Sequence, residues 1–291
     1  MHGHDRANED IEGRSPSSIK NGDKLLIIGI DIGATTTKAV SIEDGKLIRK
    51  VKIKASDAVT AATGAFGKIV LDNGIDINVI KEIRITGAGA AKIKGDIFGI
   101  QTARVGEIKA IGRGGMFLSG LDDIIITNIG TGTVIIEANE RKISHYGGSG
   151  VGGGTIIGLA KKLLPTAEFN GIINLAQTGD LSHVDLLLED IMETDLSFLN
   201  KETTVANFAK MSDHASNEDI ALAIINMVYQ VIGVLSVFAA KAKGLKRVIV
   251  TGNGSGNKLG QIVLANITGM YGIDFIYPAD AEYTTAVGAA I

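Results

Sequence analysis

Residues 25–38 read Leu-Leu-Ile-Ile-Gly-Ile-Asp-Ile-Gly-Ala-Thr-Thr-Thr-Lys, an apolar run that passes into a polar turn. The run predicts a buried strand, because β-branched residues favour strands and no charge interrupts it before Asp31. An alternating stretch at 39–42, a turn at 43–45 and a second alternating stretch at 47–53 follow. The sequence therefore predicts strand, turn, strand, turn and strand over residues 25–54.

The same layout returns about a hundred residues later. Ile124-Ile-Ile-Thr is a second apolar run that ends in a glycine turn, Val134-Ile-Ile-Glu returns from it, and a further strand runs to Tyr146 after a turn at 139–140. This echo suggests two related halves, although the residue identities are too few to establish a repeat.

Strands and helices alternate along the rest of the chain, which predicts an α/β fold. We expect helices near 58–73 and from 105, then near 155–164, 170–177, 183–191, 203–211 and 217–243, with later strands at 247–251 and around Phe275. The predicted organisation is a disordered tail (1–24), an N-terminal domain (25–115) and a C-terminal domain with a long central helix (116–280). The closing helix, 281–291, is a candidate to complete the N-terminal domain.

Composition narrows the class of protein. A net charge of −3, with 29 basic and 32 acidic residues well mixed, lacks the basic surface that nucleic-acid binding needs. The absence of cysteine excludes disulfides and cysteine-held metal clusters and agrees with a cytoplasmic protein. Residues 220–240 carry no charge and are long enough to span a membrane, but interrupting polar residues and flanking charges favour a buried core helix or a dimer interface.

Four polar or glycine-rich turns, at 31–38, 127–133, 147–155 and 251–257, follow or connect these strands. Such turns bind phosphate, because bare N–H groups converge on an anion and a following helix N-terminus adds a positive dipole. The Walker string is absent. Gly148 to Gly153 satisfies G-x-G-x-x-G outside a βαβ context, so we disfavour a dinucleotide-binding dehydrogenase.

Individual polar residues have two interpretations each. Asp31 could hold Mg²⁺ through water beside hydroxyls at Thr35, Thr36 and Thr37, or it could cap its own turn; the other anion-binding turns favour the metal. Lys38 could reach a phosphate or extend from a strand edge. Glu107 could be a catalytic base or an ordinary helix surface residue.

Four stretches carry a family resemblance: Asp31-Ile-Gly-Ala-Thr-Thr-Thr-Lys, Asn128-Ile-Gly-Thr-Gly-Thr, the 147–159 string Gly-Gly-Ser-Gly-Val-Gly-Gly-Gly-Thr-Ile-Ile-Gly-Leu, and Thr285-Ala-Val-Gly-Ala-Ala. Taken together, they resemble the type II pantothenate kinases. The resemblance covers about residues 25–291. It implies two related ribonuclease-H-like domains of the actin, heat-shock-70 and sugar-kinase fold, with the nucleotide in the cleft between them. The first two turns are shared by that superfamily, whereas the glycine string is far more specific.

The resemblance assigns roles to particular residues. The two phosphate-binding hairpins would use Asp31, Gly33, Ala34, Thr35, Thr36, Thr37 and Lys38, and Gly130, Thr131, Gly132 and Thr133. Gly152, Gly153, Gly154 and Thr155 would lie against the nucleotide, and Gly252, Asn253 and Gly254 would border adenosine. Glu107, seven residues before Gly114 as in the family, would be the catalytic base. The acceptor would meet His145, Gly147, Gly148 and Arg113.

The implied reaction is ATP- and Mg²⁺-dependent phosphorylation of the primary hydroxyl of pantothenate, the first step toward coenzyme A, by a homodimer joined through its long helix. One position departs from the family: His145 stands where the family carries arginine, and a neutral imidazole binds a carboxylate more weakly. Arg113, Arg104 or Lys109 could supply the missing cation. Kinases for another small alcohol, such as pantetheine or a sugar, and an ATP-binding regulatory switch remain alternatives.

Overall fold

The computed structural model describes residues 26–54, 57–192 and 200–291, so the predicted tail lies outside the described residues. The strands within them are β1 (Leu26–Ile32), β2 (Thr36–Glu43), β3 (Lys46–Lys54), β4 (Ile80–Thr86), β5 (Thr102–Arg104), β6 (Ile124–Ile129), β7 (Thr133–Ala138), β8 (Ile143–Ser149), β9 (Leu186–Leu187), β10 (Thr204–Ala206), β11 (Arg247–Thr251) and β12 (Asp274–Ile276). The α-helices are α1 (Ala58–Leu71), α2 (Glu107–Ser119), α3 (Gly153–Leu163), α4 (Phe169–Ala176), α5 (Asn217–Ala242), α6 (Lys258–Tyr271) and α7 (Thr284–Ala290).

Two five-stranded sheets share one topology. Sheet 1 has the order β3-β2-β1-β4-β5, and sheet 2 has the order β8-β7-β6-β11-β12. In each, three antiparallel strands are followed by two parallel ones, with β1 equivalent to β6 and β4 equivalent to β11. The duplication that the hydrophobic pattern suggested is therefore present in the fold.

Each sheet is buried on both faces. On sheet 1, α1 packs on the face that holds Ile28, Ile30 and Ile32, and α7 packs on the opposite face. The approach of α7 is close, because a side chain at Gly29 would overlap the carbonyl oxygen of Ala286. Helix α7 thus covers one face of sheet 1.

Helix α2 joins the two halves. Its inner face packs on sheet 2 through Ile111, beside Ile126 and Ile136, and its other side packs on α7. Side chains at Gly114 or Gly288 would overlap the backbone of the facing helix, so the two helices meet backbone to backbone. The predicted domain boundary after residue 115 falls inside α2.

Helix α5 is a core helix of the second half. It packs with α3, α4 and α6 on the face of sheet 2 opposite α2, and the core it joins includes Ile125, Ile135 and Val250. The helix is long and apolar enough to cross a membrane, and 61% of its most apolar window is buried inside the protein. Burial of this kind is the property expected of a central core helix.

Two predicted helices are wrong. Residues 183–191 form 3₁₀ turns around the short strand β9, and residues 203–211 contain β10 and turns. The buried Asp185 carboxylate organises both segments, accepting hydrogen bonds from the Phe208 amide (2.8 Å), the Thr204 hydroxyl (3.1 Å) and the Asn226 side-chain amide (2.8 Å). These bonds hold both segments in a non-helical conformation, which the spacing of apolar residues alone does not predict.

Candidate functional site

The first hairpin of sheet 1 presents unpaired backbone N–H groups. Its turn is closed by a bond from the Gly33 amide to the Thr36 carbonyl (3.1 Å). Ala34 and Thr35 at its tip are exposed, and their N–H groups have no hydrogen-bond partner among the described residues. Two free donors at the end of a buried strand are suited to a phosphate oxygen.

Asp31 lies at the end of β1, on the α7 face of the sheet. It pairs with Lys38 on β2 and Thr86 on β4, and Gly87 leaves room for its carboxylate: a Cβ at Gly87 would lie 2.5 Å from Asp31 Oδ1. Burial raises the pKa of Asp31 to about 6, with the positive charge of Lys38 lowering it and the negative charge of Glu107 raising it. The two acidic groups are thus near enough for their charges to interact.

Two of the predicted phosphate ligands have buried side chains. Thr37 is fully buried and pairs with Ile32 on the α1 face, so its hydroxyl does not reach the cleft. Lys38 is also buried, and its Nζ donates to the Glu282 carbonyl at 2.6 Å. Successive side chains along β2 point to opposite faces, so Thr37 lies on the α1 face and Lys38 on the same face as Asp31.

The second hairpin, at the β6–β7 turn, has the same form. The Gly130 amide donates to the Gly132 carbonyl (2.8 Å), which leaves the Thr131 and Gly132 N–H groups without a partner among the described residues. Thr133 begins β7, and its buried hydroxyl donates to the Val151 carbonyl (2.8 Å). The backbone N–H groups of this turn are thus the groups available to a ligand.

The glycine string 147–154 lies against that hairpin. The Gly153 and Gly154 amides donate to the Gly130 and Thr131 carbonyls at 2.9 and 2.8 Å, and a side chain at Gly152 would meet the Thr131 carbonyl at 2.7 Å. A side chain at Gly148 would likewise meet the Thr133 carbonyl at 2.6 Å. The glycines are required because two backbones are in contact, and this contact brings the start of α3 to the hairpin.

Thr155 stabilises the start of α3. Its Oγ1 accepts from the Gly152 amide (3.1 Å) and donates to the Gly150 carbonyl (3.2 Å). Its hydroxyl therefore stabilises the loop between string and helix. Gly147 and Gly150, in contrast, face open space, so a ligand could approach the string there.

The loop at 252–254 completes the group of turns. Gly252 has a positive φ of 83°, and a Cβ there would lie 2.5 Å from the Ile129 carbonyl and 2.8 Å from Asn128 Oδ1. Asn253 Nδ2 reaches Thr36 Oγ1 at 3.3 Å, and Tyr229 of α5 donates to the Gly254 carbonyl at 2.7 Å. The loop thus joins both hairpins and is anchored on the core helix.

Glu107 is the first residue of α2, where it is exposed and has no hydrogen bond or ion pair among the described residues. His145 is exposed on β8 and pairs with Ile136, which packs under α2, so the register places His145 on the face of sheet 2 that α2 covers. The first turn of α2 and the strand before the glycine string therefore border the same region.

Arg113 contacts the residue that follows α7. It lies two turns along α2, where Nη1 donates to the Ile291 carbonyl at 3.1 Å. Arg104 donates to the Ile93 carbonyl, and Lys109, next to Glu107 on α2, is exposed. Of the three cations considered for the acceptor, Lys109 is thus the one whose side chain is free to move.

The residues around Asp31 fit a nucleotide-bound Mg²⁺. No group of three or more acidic, histidine or cysteine side chains that could enclose a metal occurs in the described part of the chain. Mg²⁺ is commonly bound by one or two carboxylates together with waters and substrate phosphates. Asp31 supplies the partly buried carboxylate, and the free N–H groups of the two hairpins are suited to the phosphates that would complete the site.

Thr86 and Gly87, which were not among the predicted site residues, lie beside Asp31. They hold the same positions beside Asp31 that Thr251 and Gly252 hold beside Asn128. The signal was present in the chain, because Thr-Gly-Ala-Gly-Ala at 86–90 and Thr-Gly-Asn-Gly-Ser at 251–255 are one pattern.

The duplicated sheets, the two hairpins and the loop between them define a protein of the actin, heat-shock-70 and sugar-kinase fold. Solved structures agree. The activator of the 2-hydroxyisocaproyl-CoA dehydratase from Clostridium difficile, with bound ADPNP, superposes with a TM-score of 0.62 at 19% identity, covering 91% of this chain and 93% of the other. A ROK family glucokinase from Streptomyces griseus, in complex with glucose and AMPPNP, gives 0.57 at 16% identity, covering 91% and 98%.

The chain belongs to the Fumble family, whose sequence model matches residues 27–262. A type II pantothenate kinase from Bacillus cereus is 29% identical over 274 residues, covering 91% of this chain and 97% of the relative. Another from Oceanobacillus iheyensis is 28% identical over 233 residues, covering 77% and 83%. The motifs quoted from the sequence thus indicated the right family.

Proposed function

We propose that this protein is an ATP-dependent pantothenate kinase that transfers the γ-phosphoryl group of ATP to the primary hydroxyl of pantothenate, in coenzyme A biosynthesis. The observation that carries the proposal is the contact between the two hairpins, the glycine string and the 252–254 loop, next to the Asp31 carboxylate. Family membership and the full-length similarity to type II pantothenate kinases support the choice of acceptor.

The nucleotide would lie in the cleft between the two halves. The free N–H groups of Ala34, Thr35, Thr131 and Gly132 would bind phosphate oxygens. The 252–254 loop would border the adenosine, and α3 would direct its N-terminus at the phosphates. Mg²⁺, held by Asp31 through water, would neutralise charge on the β- and γ-phosphates.

Glu107 is the candidate catalytic base. Its carboxylate is exposed and unpaired at the cleft, so it is free to accept the proton of the pantothenate hydroxyl as the phosphoryl group is transferred. Gly147, Gly148 and His145 would bind the acceptor along β8. Positioning of the two substrates and neutralisation of phosphate charge would supply most of the acceleration.

The test is pantothenate-dependent ADP release by the purified protein and by Glu107→Gln. The variant keeps the size of the side chain and removes its basicity, so kcat is expected to fall by about 10²-fold or more while the Kd for ATP, measured by calorimetry, changes little. Glu140→Gln, the same change at an exposed glutamate in the turn between β7 and β8, is the matched control. Wild-type turnover by Glu107→Gln would remove Glu107 from the role.

Substitution of histidine for the family's arginine at position 145 favours a second candidate, a kinase for another small alcohol such as pantetheine or a sugar. The histidine is exposed and lacks an ion-pair partner among the described residues, so it would leave the pantothenate carboxylate without a permanent cation. A panel of acceptors in the same assay separates the two, because the second candidate requires a higher kcat/KM for the uncharged alcohol. Acceptor-independent ADP release would instead indicate a regulatory switch.

We further infer a cytoplasmic homodimer. Helix α5 carries a stripe of apolar side chains at the solvent surface. Leu235 is 36% exposed and Phe238 is 57% exposed, and Val231 and Val234 on the same stripe are half-buried. Ile262 of the neighbouring α6 is 58% exposed. An apolar stripe of this kind on a protein surface is typical of a subunit interface.

A further inference from the structure

A buried hydroxyl next to Asp31 has no partner. Thr86, the last residue of β4, is fully buried, and its Oγ1 makes no hydrogen bond. Burying a hydroxyl without a hydrogen bond costs free energy, and a state of the protein in which the hydroxyl meets an acceptor recovers that cost. The residues facing it identify that state.

The sheet register places Thr86 beside Asp31. The two residues are partners in the parallel β1–β4 pairing, and paired residues in parallel strands point to the same face. That face is the one toward α7 and the cleft, because Arg84, two residues earlier, reaches the Ala290 carbonyl of α7 at 3.1 Å. The unpartnered hydroxyl therefore lies on the same side of the sheet as the carboxylate.

The second half of the molecule contains the same pair in a bonded form. Thr251 and Asn128 are partners in the parallel β6–β11 pairing, and Thr251 Oγ1 donates to Asn128 Oδ1 at 3.0 Å. In both halves a glycine with a φ near 85° follows the threonine, Gly87 at 87° and Gly252 at 83°. The duplicated geometry shows how a hydroxyl at this position meets the side-chain oxygen opposite.

We propose that Thr86 is a positioning residue, whose hydroxyl donates a hydrogen bond to the ionised Asp31 carboxylate and orients that carboxylate toward the Mg²⁺ of the bound nucleotide. This inference deepens the proposed function and rests on its nucleotide site, but not on the identity of the acceptor. Hydrogen bonds to ionised groups are about twice as strong as neutral ones, so the bond is favoured in the state in which Asp31 is charged.

The experiment compares ADP binding by calorimetry, with EDTA and with Mg²⁺, for the wild-type protein, Thr86→Val and Thr86→Ser. Valine preserves the shape without the hydroxyl. We expect all three to bind ADP equally in EDTA, whereas in Mg²⁺ the Kd of Thr86→Val is about tenfold higher than that of the wild type and Thr86→Ser recovers most of the loss. Ser41→Ala is the matched control: Ser41 is another buried, unpartnered hydroxyl of sheet 1, on the opposite face.

Three outcomes would overturn the inference: Thr86→Val binding Mg²⁺-ADP as tightly as the wild type, Thr86→Ser failing to restore binding, or Ser41→Ala losing as much. Equal loss in EDTA and in Mg²⁺ would also count against it, because a general packing defect has that signature. The readout needs no acceptor. A protein that shows the Thr86 effect but does not phosphorylate pantothenate would contradict the proposed reaction and leave this inference standing.

Discussion

Replacing Asp31 with asparagine should stabilise the folded protein while removing its activity. The partly buried carboxyl has its pKa raised from 3.8 to about 6 by desolvation, with Lys38 only partly offsetting this effect. Asparagine has nearly the same shape and no charge, and the equivalent position in the second half is already an asparagine, Asn128.

The magnitude follows from proton linkage. Because the folded-state pKa is raised, the folded protein binds the proton more tightly than the unfolded chain, so stability falls as pH rises through the interval between 3.8 and about 6. Ionised Asp31 then lowers the free energy of unfolding by about 3 kcal/mol at pH 7.5 and about half as much at pH 5. The attraction of Lys38 is already included in that pKa.

The assay is urea unfolding of the wild-type protein and Asp31→Asn at pH 5 and pH 7.5, in EDTA without nucleotide. The variant is expected to be more stable at both values, with the larger difference at pH 7.5. A second measurement, Mg²⁺-dependent ADP release, should fall to background in the variant, since asparagine cannot supply the anionic ligand. A stability difference of zero, or one that does not change with pH, would refute the claim that Asp31 is a desolvated carboxylate.

Three further changes test other parts of the structure. Gly288→Ala places a methyl group on the Ala110 carbonyl of α2 and should destabilise the fold by about 3 kcal/mol or more, measured by urea unfolding. Gly67→Ala, in α1 with open space around it, is the control and should stabilise the fold slightly. Equal effects of the two substitutions would refute the backbone contact between α2 and α7. Phe238→Asp should convert the dimer into a monomer, with the mass measured by light scattering. Leu71→Asp, at an 80% exposed position on α1, is the control and should leave the dimer intact. A monomeric wild-type protein would contradict the interface. His145→Arg should lower the KM for pantothenate about tenfold and leave the KM for the uncharged pantetheine unchanged; an equal change for both would exclude a carboxylate contact.

The pattern of β-branched runs and glycine turns predicted the strands of each half and suggested their duplication, whereas the two-domain fold was predicted from the family resemblance. Both hairpins and the duplication of 25–54 in 122–146 are present, because a strand buried on both faces leaves a strong apolar signal and tight turns require particular residues. The long helix was predicted within a residue at each end, since its uncharged run at 220–240 is bounded by charged residues on both sides.

Features that depend on tertiary contacts could not be predicted. The open segments around Asp185 form because a buried carboxylate accepts bonds from residues about twenty positions away. Thr37 and Lys38 were assigned to phosphate because they belong to the motif, whereas the pleat of β2 turns one toward α1 and the other toward α7. Arg113 was assigned to the acceptor by the resemblance, whereas in the structure its guanidinium donates to the Ile291 carbonyl.

The most direct test of the proposed reaction is to identify its product. Purified protein is incubated with Mg²⁺-ATP and pantothenate, and the product is analysed by mass spectrometry and phosphorus NMR. The proposal predicts one phosphoryl group, esterified to the primary hydroxyl of pantothenate and formed in equal amount to ADP. ADP without phosphorylated pantothenate, or phosphate transferred only to another alcohol, would contradict it.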